Sequence, residues 1–177
     1  MFQTVGHTAL SHFSDCFGLP LFQEETTGKA HCSDKQYERT SDADEVEDLF
    51  RLLSRVVAAI PDITAVSAGA ILSDYQRVRV EHVCIRLGLT SLAYLWSQPQ
   101  DVLLRSMLDH GIDAVLVKVA AWGLDPARHL GRHLGDLYDE LLVMGEKYSL
   151  NVAGEGGEYE TIVLDCPLFK RRLVLYA

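Results

Sequence analysis

No excess of positive charge marks this 177-residue chain: 16 Lys and Arg face 25 Asp and Glu, for a formal net charge of −9. Nonspecific nucleic-acid binding needs a basic surface, so the balance argues against a direct nucleic-acid partner, though not against a local basic pocket. No stretch approaches the roughly 18 uninterrupted apolar residues of a membrane span. Met1-Phe2-Gln3-Thr4 lacks the basic region and apolar core of a signal peptide. Cys16, Cys32, Cys84 and Cys166 include no CxxC pair. Cys84 and Cys166 lie in apolar runs and read as reduced buried thiols, which fits a cytoplasmic setting best. His7, His12, His31 and Cys32 match no familiar zinc spacing. His129 and His133, four apart, lack the glutamate of an HExxH motif and read as solvated helix histidines. Internal repeats and low-complexity segments are absent.

What is there is an ordinary globular composition, 48% hydrophobic and 23% charged, enough for one good core or one domain plus part of another. Helical spacing of Val5, Ala9, His12, Phe13 and Cys16 predicts a helix over 4–17, closed by Gly18 and Pro20. Leu19–Glu24 reads as a short strand and Thr26–Thr40 as a polar loop. Ser41 is the expected cap of a helix whose acidic first turn, Asp42 to Glu45, reads as solvated, and whose apolar stripe runs from Val46 to Ile60. Ala65–Leu72 reads as a buried strand and is followed at once by a helix capped by Ser73 and closed by Gly88. Ser91–Trp96 reads as another strand. That order predicts parallel pairing with helix-covered faces. After a boundary at Gln98–Gln100 the pattern restarts. Helices are expected over Asp101–His110 and from Leu134 to Tyr148, with strands at Ala114–Ala121, Asn151–Ala153, Ile162–Leu164 and Arg172–Tyr176.

Three stretches carry chemistry. Gly69 to Arg79 leads a strand into a helix opening with Ser73 and Asp74 and carrying Arg77 and Arg79. Helix N-termini at the carboxyl ends of parallel strands receive anions, so this is either a phosphate or carboxylate clamp, or a plain Ser73 cap with an Arg77–Glu81 pair on a wet face. Lys118, inside an apolar strand, needs a carboxylate partner from the Gly154–Thr161 segment or snorkels to water at a sheet edge. The last stretch, Gly154-Glu155-Gly156-Gly157-Glu158-Tyr159-Glu160-Thr161, crowds three carboxylates and three glycines behind the apolar pair Val152-Ala153. It reads as a site at a strand end, able to hold Mg²⁺, bind an amine or act as general base, with a charged β-turn as the bland reading.

Together with Asp44-Glu45-Val46-Glu47-Asp48-Leu49, Leu92-Ala93-Tyr94-Leu95-Trp96 and Val117-Lys118-Val119-Ala120-Ala121, these stretches resemble the diphthine–ammonia ligase family, in the right order and over nearly the whole chain. The resemblance implies an N-type ATP pyrophosphatase fold (adenine nucleotide alpha hydrolase-like): here α/β, a truncated Rossmann-like parallel sheet over 1–97, then a smaller α/β substrate domain over 98–177. It implies ATP, with Mg²⁺, ammonium, and translation elongation factor 2 bearing diphthine, whose carboxylate is adenylated and then amidated. Gly69, Ser73, Asp74, Gln76, Arg77 and Arg79 would line the nucleotide. Glu155, Glu158 and Glu160 would serve catalysis on the acyl or ammonia side, and Lys118, Gly156, Gly157, Tyr159 and Thr161 would contact substrate. The family's SGGKDS phosphate loop has no counterpart anywhere in the sequence. The chain therefore reads as a short isoform or fragment, with weak or no activity alone and an exposed sheet edge. A noncatalytic binding module and a carboxylate-metal hydrolase are the alternatives.

Overall fold

The computed structural model describes residues 5–29, 37 and 44–176. Their elements are α1 (His7–Leu10), α2 (Phe13–Phe17), α3 (Glu45–Ala59), β1 (Ala65–Ser67), α4 (Asp74–Leu87) and β2 (Thr90–Leu92). After these come α5 (Gln100–Asp109), β3 (Asp113–Val119), α6 (Pro126–His129), α7 (Leu134–Tyr148) and β4 (Tyr159–Asp165). Two compact units result, one of residues 22–97 and one joining 5–21 to 98–176. Residues 5–21 pack with the second unit, where Phe13 and Phe17 lie edge-on against Phe169. His31, Cys32 and the Ser41 cap fall outside the described residues.

In the first unit β1 and β2 pair in parallel, Ala65 opposite Thr90 and Ser67 opposite Leu92, with α4 as the crossover. Strand, helix and strand gave that pairing correctly, in a mixed α/β arrangement with a small parallel sheet. The strands are shorter than expected. Beyond Ser67 a single bond from the Ala68 N–H to Leu92 ends the ladder, and Ala93–Trp96 closes a turn instead. The helices follow their apolar stripes. Val46 and Val83 are fully buried between α3 and α4, with Leu49, Phe50, Leu53, Val78 and Leu87 around them. Asp44, not a solvated residue, caps α3 by accepting from the Val46 N–H at 2.9 Å.

The second unit is built on the antiparallel pair β3–β4, covered on both faces. Leu134, Leu137, Leu141 and Met144 of α7, with Leu104 of α5, pack on Ala114, Leu116 and Tyr159. The opposite face, Val115, Ile162 and Leu164, meets Ala9, Cys16 and Leu173. Burying both faces explains why β3 reads as a continuous apolar run. The expected helix over 4–17 breaks between α1 and α2, where the His12 N–H turns back to Ala9. Three expected strands are absent. Residues 20–28 are irregular, Asn151–Ala153 is a turn, and residues 172–176 meet the sheet through the Leu173 N–H on Leu164.

A β-bulge interrupts the ladder: Leu116 pairs with Thr161, but Lys118 pairs with the very next residue, Glu160. Strict alternation would send Lys118 toward Leu137 and Leu141 with Leu116. The extra residue puts Val117 and Lys118 on one face and lets the ammonium reach a carboxylate.

Candidate functional site

The carboxylate-rich stretch is a turn that enters β4, not a loop that leaves a strand. The Gly154 N–H bonds Asn151 O at 2.8 Å and the Gly157 N–H bonds Gly154 O at 3.1 Å. Within this frame the Glu158 carboxylate folds back. Its Oε2 accepts the Gly156 N–H at 2.7 Å, and its Oε1 accepts Asn151 Nδ2 at 2.8 Å and the Asn151 N–H at 3.3 Å. A Cβ at Gly156 would lie 2.6 Å from Glu158 Oε1, so the carboxylate keeps this position only beside a glycine. Tyr159, expected to touch substrate, is 5% exposed and donates to Val152 O at 2.5 Å. Burial, and next the Glu158 charge, push its phenol well above the usual range. Glu160 takes the Lys118 ammonium at 2.7 Å. Thr161 is half-buried opposite Leu116, and Glu155 is half-buried in the turn. Gly156 and Gly157 present open backbone.

In the first unit the Gly69–Arg79 stretch keeps its predicted order but distributes its charges differently. Gly69 faces open space. Ser73 Oγ accepts the Gln76 N–H at 3.3 Å as the helix cap. Arg77 is forked between Asp74 at 3.1 Å and Glu81 at 2.8 Å, and its guanidinium lies 4.4 Å from the centre of the Trp96 ring. Those two hydrogen bonds hold its proton more tightly than usual. One polar atom is left over: Arg77 Nε is buried with no hydrogen-bond partner. Arg79 is 1% exposed, its guanidinium 3.4 Å from the Tyr75 ring centre and its Nη1 on Tyr75 O at 3.1 Å. Tyr75 in turn donates to Glu45 at 2.8 Å. Arg79 is therefore an interior pillar and not a solvent-facing clamp.

The acidic start of α3 is likewise interior. Glu47 forks onto Arg86 at 2.6 and 2.9 Å. Asp48 accepts the N–H groups of Thr27 and Gly28 at 2.8 and 2.9 Å and pairs with Arg51. Burial opposes its charge, yet the Gly28 and Thr27 N–H groups and Arg51 hold its carboxyl below the usual range. Sequence pattern could not separate this first turn from a solvated one, because both read as acidic residues at a helix start. His129, expected on a wet face, is 1% exposed, with Nδ1 2.8 Å from Asp125 O and Nε2 3.2 Å from Glu140. Cys84 is a buried free thiol, and Cys166 is half-exposed.

Among the described residues no three His, Cys, Asp or Glu side chains converge to hold a metal, so Mg²⁺ finds no protein cage here. An anionic ligand fits better. The open Cα of Gly69, the Ser73-capped end of α4 and the unpaired Arg77 Nε lie along one strand-to-helix stretch. The turn in the second unit offers carboxylate oxygens, a chemistry for binding amines, while the N–H groups of Gly154, Gly156 and Gly157 bond acceptors within the turn itself.

Residues 1–91 match the diphthamide synthase N-terminal domain and residues 99–176 the diphthamide synthase C-terminal domain. The chain belongs to the diphthamide synthase family. A Danio rerio protein named diphthine–ammonia ligase is 50% identical over 177 residues, all of this chain and 69% of its own length. Those of Rattus norvegicus and Schizosaccharomyces pombe are each 51% identical over 175 residues. This chain spans 65% of the first and 28% of the second. Gln100 and Asn151, whose side chains bond into the Glu158 turn, are absent from the residues the sequence singles out. Asn151 stands in an apolar pattern that reads as strand, although Asn favours turns, and nothing in the sequence ties Gln100 to a turn about fifty positions away.

Proposed function

We propose that this chain serves the ATP-dependent amidation of diphthine on translation elongation factor 2, converting the carboxylate to the amide of diphthamide. Membership in the diphthamide synthase family together with the ordered Glu158 turn carries this reading. ATP, as co-substrate, would adenylate the carboxylate with loss of pyrophosphate, and ammonia would displace AMP. In the first unit Gly69, Ser73, Asp74, Gln76 and Arg77 would border the nucleotide at the end of a Rossmann-like parallel sheet, as in adenine nucleotide alpha hydrolase-like proteins. Arg79 would hold Tyr75 and Glu45 in place behind them. In the second unit Glu155, Glu158 and Glu160 would make the turn attractive to ammonium, with Lys118 restraining Glu160. Exposed Gly156 and Gly157 would let the acyl group approach the backbone. Mg²⁺ would arrive on the phosphates of ATP. The proposed setting is the cytoplasm, that of the elongation factor it would modify. Among the described residues no helix is long and apolar enough to cross a membrane.

The sequence holds no SGGKDS loop, so amidation by these 177 residues alone is expected to be weak. The same observation favours a second reading, a noncatalytic module that binds nucleotide or the elongation factor. A carboxylate-metal hydrolase gains nothing from glutamates bonded to Asn151, Gly156 and Lys118. The readings separate in cells lacking the ligase. Diphthamide restored by this chain supports the first, and elongation factor captured without diphthamide supports the second.

A further inference from the structure

An ionised carboxylate only accepts hydrogen bonds, so Glu158 dictates the orientation of every amide beyond it. Asn151 must turn its NH₂ toward Glu158 Oε1, at 2.8 Å. Its Oδ1 then faces Gln100, which must present Nε2, at 3.1 Å. The remaining Gln100 oxygen receives the Ala153 N–H, also at 3.1 Å. A polarised chain thus runs from Ala153 through Gln100 and Asn151 to the anion, and ends at the Gly156 N–H on the other carboxylate oxygen. Gln100 is the first residue of α5, a helix fixed against α7 through Leu104. The chain therefore ties the turn to the rigid part of the unit.

We infer that Gln100 and Asn151 are positioning residues that set the Glu158 carboxylate, and with it the Gly156 N–H, for the reaction of this turn. The inference rests on the ligase reading for its purpose, not for its geometry. Both residues also line an open pocket of about 430 Å³ with Asp101, Glu146, Leu142 and Val152, so the relay sits at a solvent-accessible wall.

The test uses the whole chain and three variants, Gln100→Ala, Asn151→Ala and Gln100→Glu, read by amide exchange at Gly156 relative to wild type at each pH. Asn151→Ala removes a hydrogen bond to a charged group, worth on the order of tenfold in an opening equilibrium, and should quicken Gly156 exchange roughly tenfold; Gln100→Ala removes only bonds between neutral groups and should quicken it by about threefold. Amides of Leu137 and Leu141 in α7 should not change, which excludes general unfolding. Gln100→Glu sets a carboxylate against Asn151 Oδ1 and should disturb Gly156 at neutral pH. Acidification should return it toward wild type, because a protonated Glu at 100 can donate again. Asp101, Glu146 and Glu158 are the carboxylates that face this group, so each variant is compared with wild type at the same pH. The amidation that wild type supports should fall about tenfold in kcat with KM for the elongation factor unchanged. Unchanged Gly156 exchange in both alanine variants overturns the inference, and so does quickened exchange with wild-type kcat. A wild-type chain that forms no diphthamide refutes the ligase reading instead, while the exchange ratios still decide the relay.

Discussion

Two neighbouring glycines should fail for different reasons when changed to alanine. Gly157 has φ +84° and open space where a Cβ would go. Its alanine variant therefore pays left-handed backbone strain of about 1–2 kcal/mol, less about 0.4–1 kcal/mol regained from a stiffer unfolded chain. At Gly156 the backbone is ordinary, but a Cβ would sit 2.6 Å from Glu158 Oε1 and 3.0 Å from Asn151 Nδ2. The flexible carboxylate would swing out, breaking its bonds to Gly156 and Asn151. Buried, such charged bonds are worth about 1.5–3 kcal/mol each, and water recovers much of that for a half-exposed glutamate. Net costs of about 1 kcal/mol are expected for both, a fall of roughly 2–4 °C in melting temperature, so stability cannot tell them apart. A local probe can. The side-chain NH₂ resonances of Asn151 should move to solvent-like values in Gly156→Ala and stay put in Gly157→Ala. An unmoved Asn151 amide in Gly156→Ala would refute the crowding argument.

Tyr159→Phe orphans the buried Val152 carbonyl and should cost about 1–2 kcal/mol in urea unfolding. Because the Tyr159 phenol titrates above its unfolded value of 10.0, its contribution is complete below that pH and is lost as pH rises through the folded value; the phenylalanine variant should show a shallower alkaline decline. For Asp48 the sign reverses. Its carboxyl titrates below 3.8, so its contribution is present above that pH and lost as pH falls through the folded value; Asp48→Asn should flatten the acid limb of the urea midpoint. Glu47→Gln leaves Arg86 over the Phe50 ring without its forked partner and should cost about 3 kcal/mol. A double-mutant cycle with Arg86→Met should recover much of that loss, and strictly additive losses would count against the pair.

Much of the fold was legible because long apolar stripes have one interpretation. Val46 to Ile60 and Leu134 to Tyr148 gave α3 and α7 nearly to the residue. Short segments had no such redundancy. Val152 and Ala153 look like strand, yet the Ala153 N–H goes to a glutamine side chain and no ladder forms. The candidate site was legible in its residues but not in its allocation of charge. Alternation pairs Lys118 with the core, and only the bulge, which has no glycine to announce it, delivers the lysine to Glu160. Arg79 looked like a clamp because Tyr37, which covers it together with Tyr75 one turn back on α4, is brought to it only by tertiary packing.

The most direct measurement is the diphthamide content of elongation factor 2, by mass spectrometry, in cells lacking the ligase and supplied with this chain or its Glu158→Ala variant. A low but distinct diphthamide fraction with the wild-type chain, absent with the variant, is the predicted result. Equal diphthamide with wild type, variant and empty control would contradict the assignment of the Gly154–Thr161 turn to amidation.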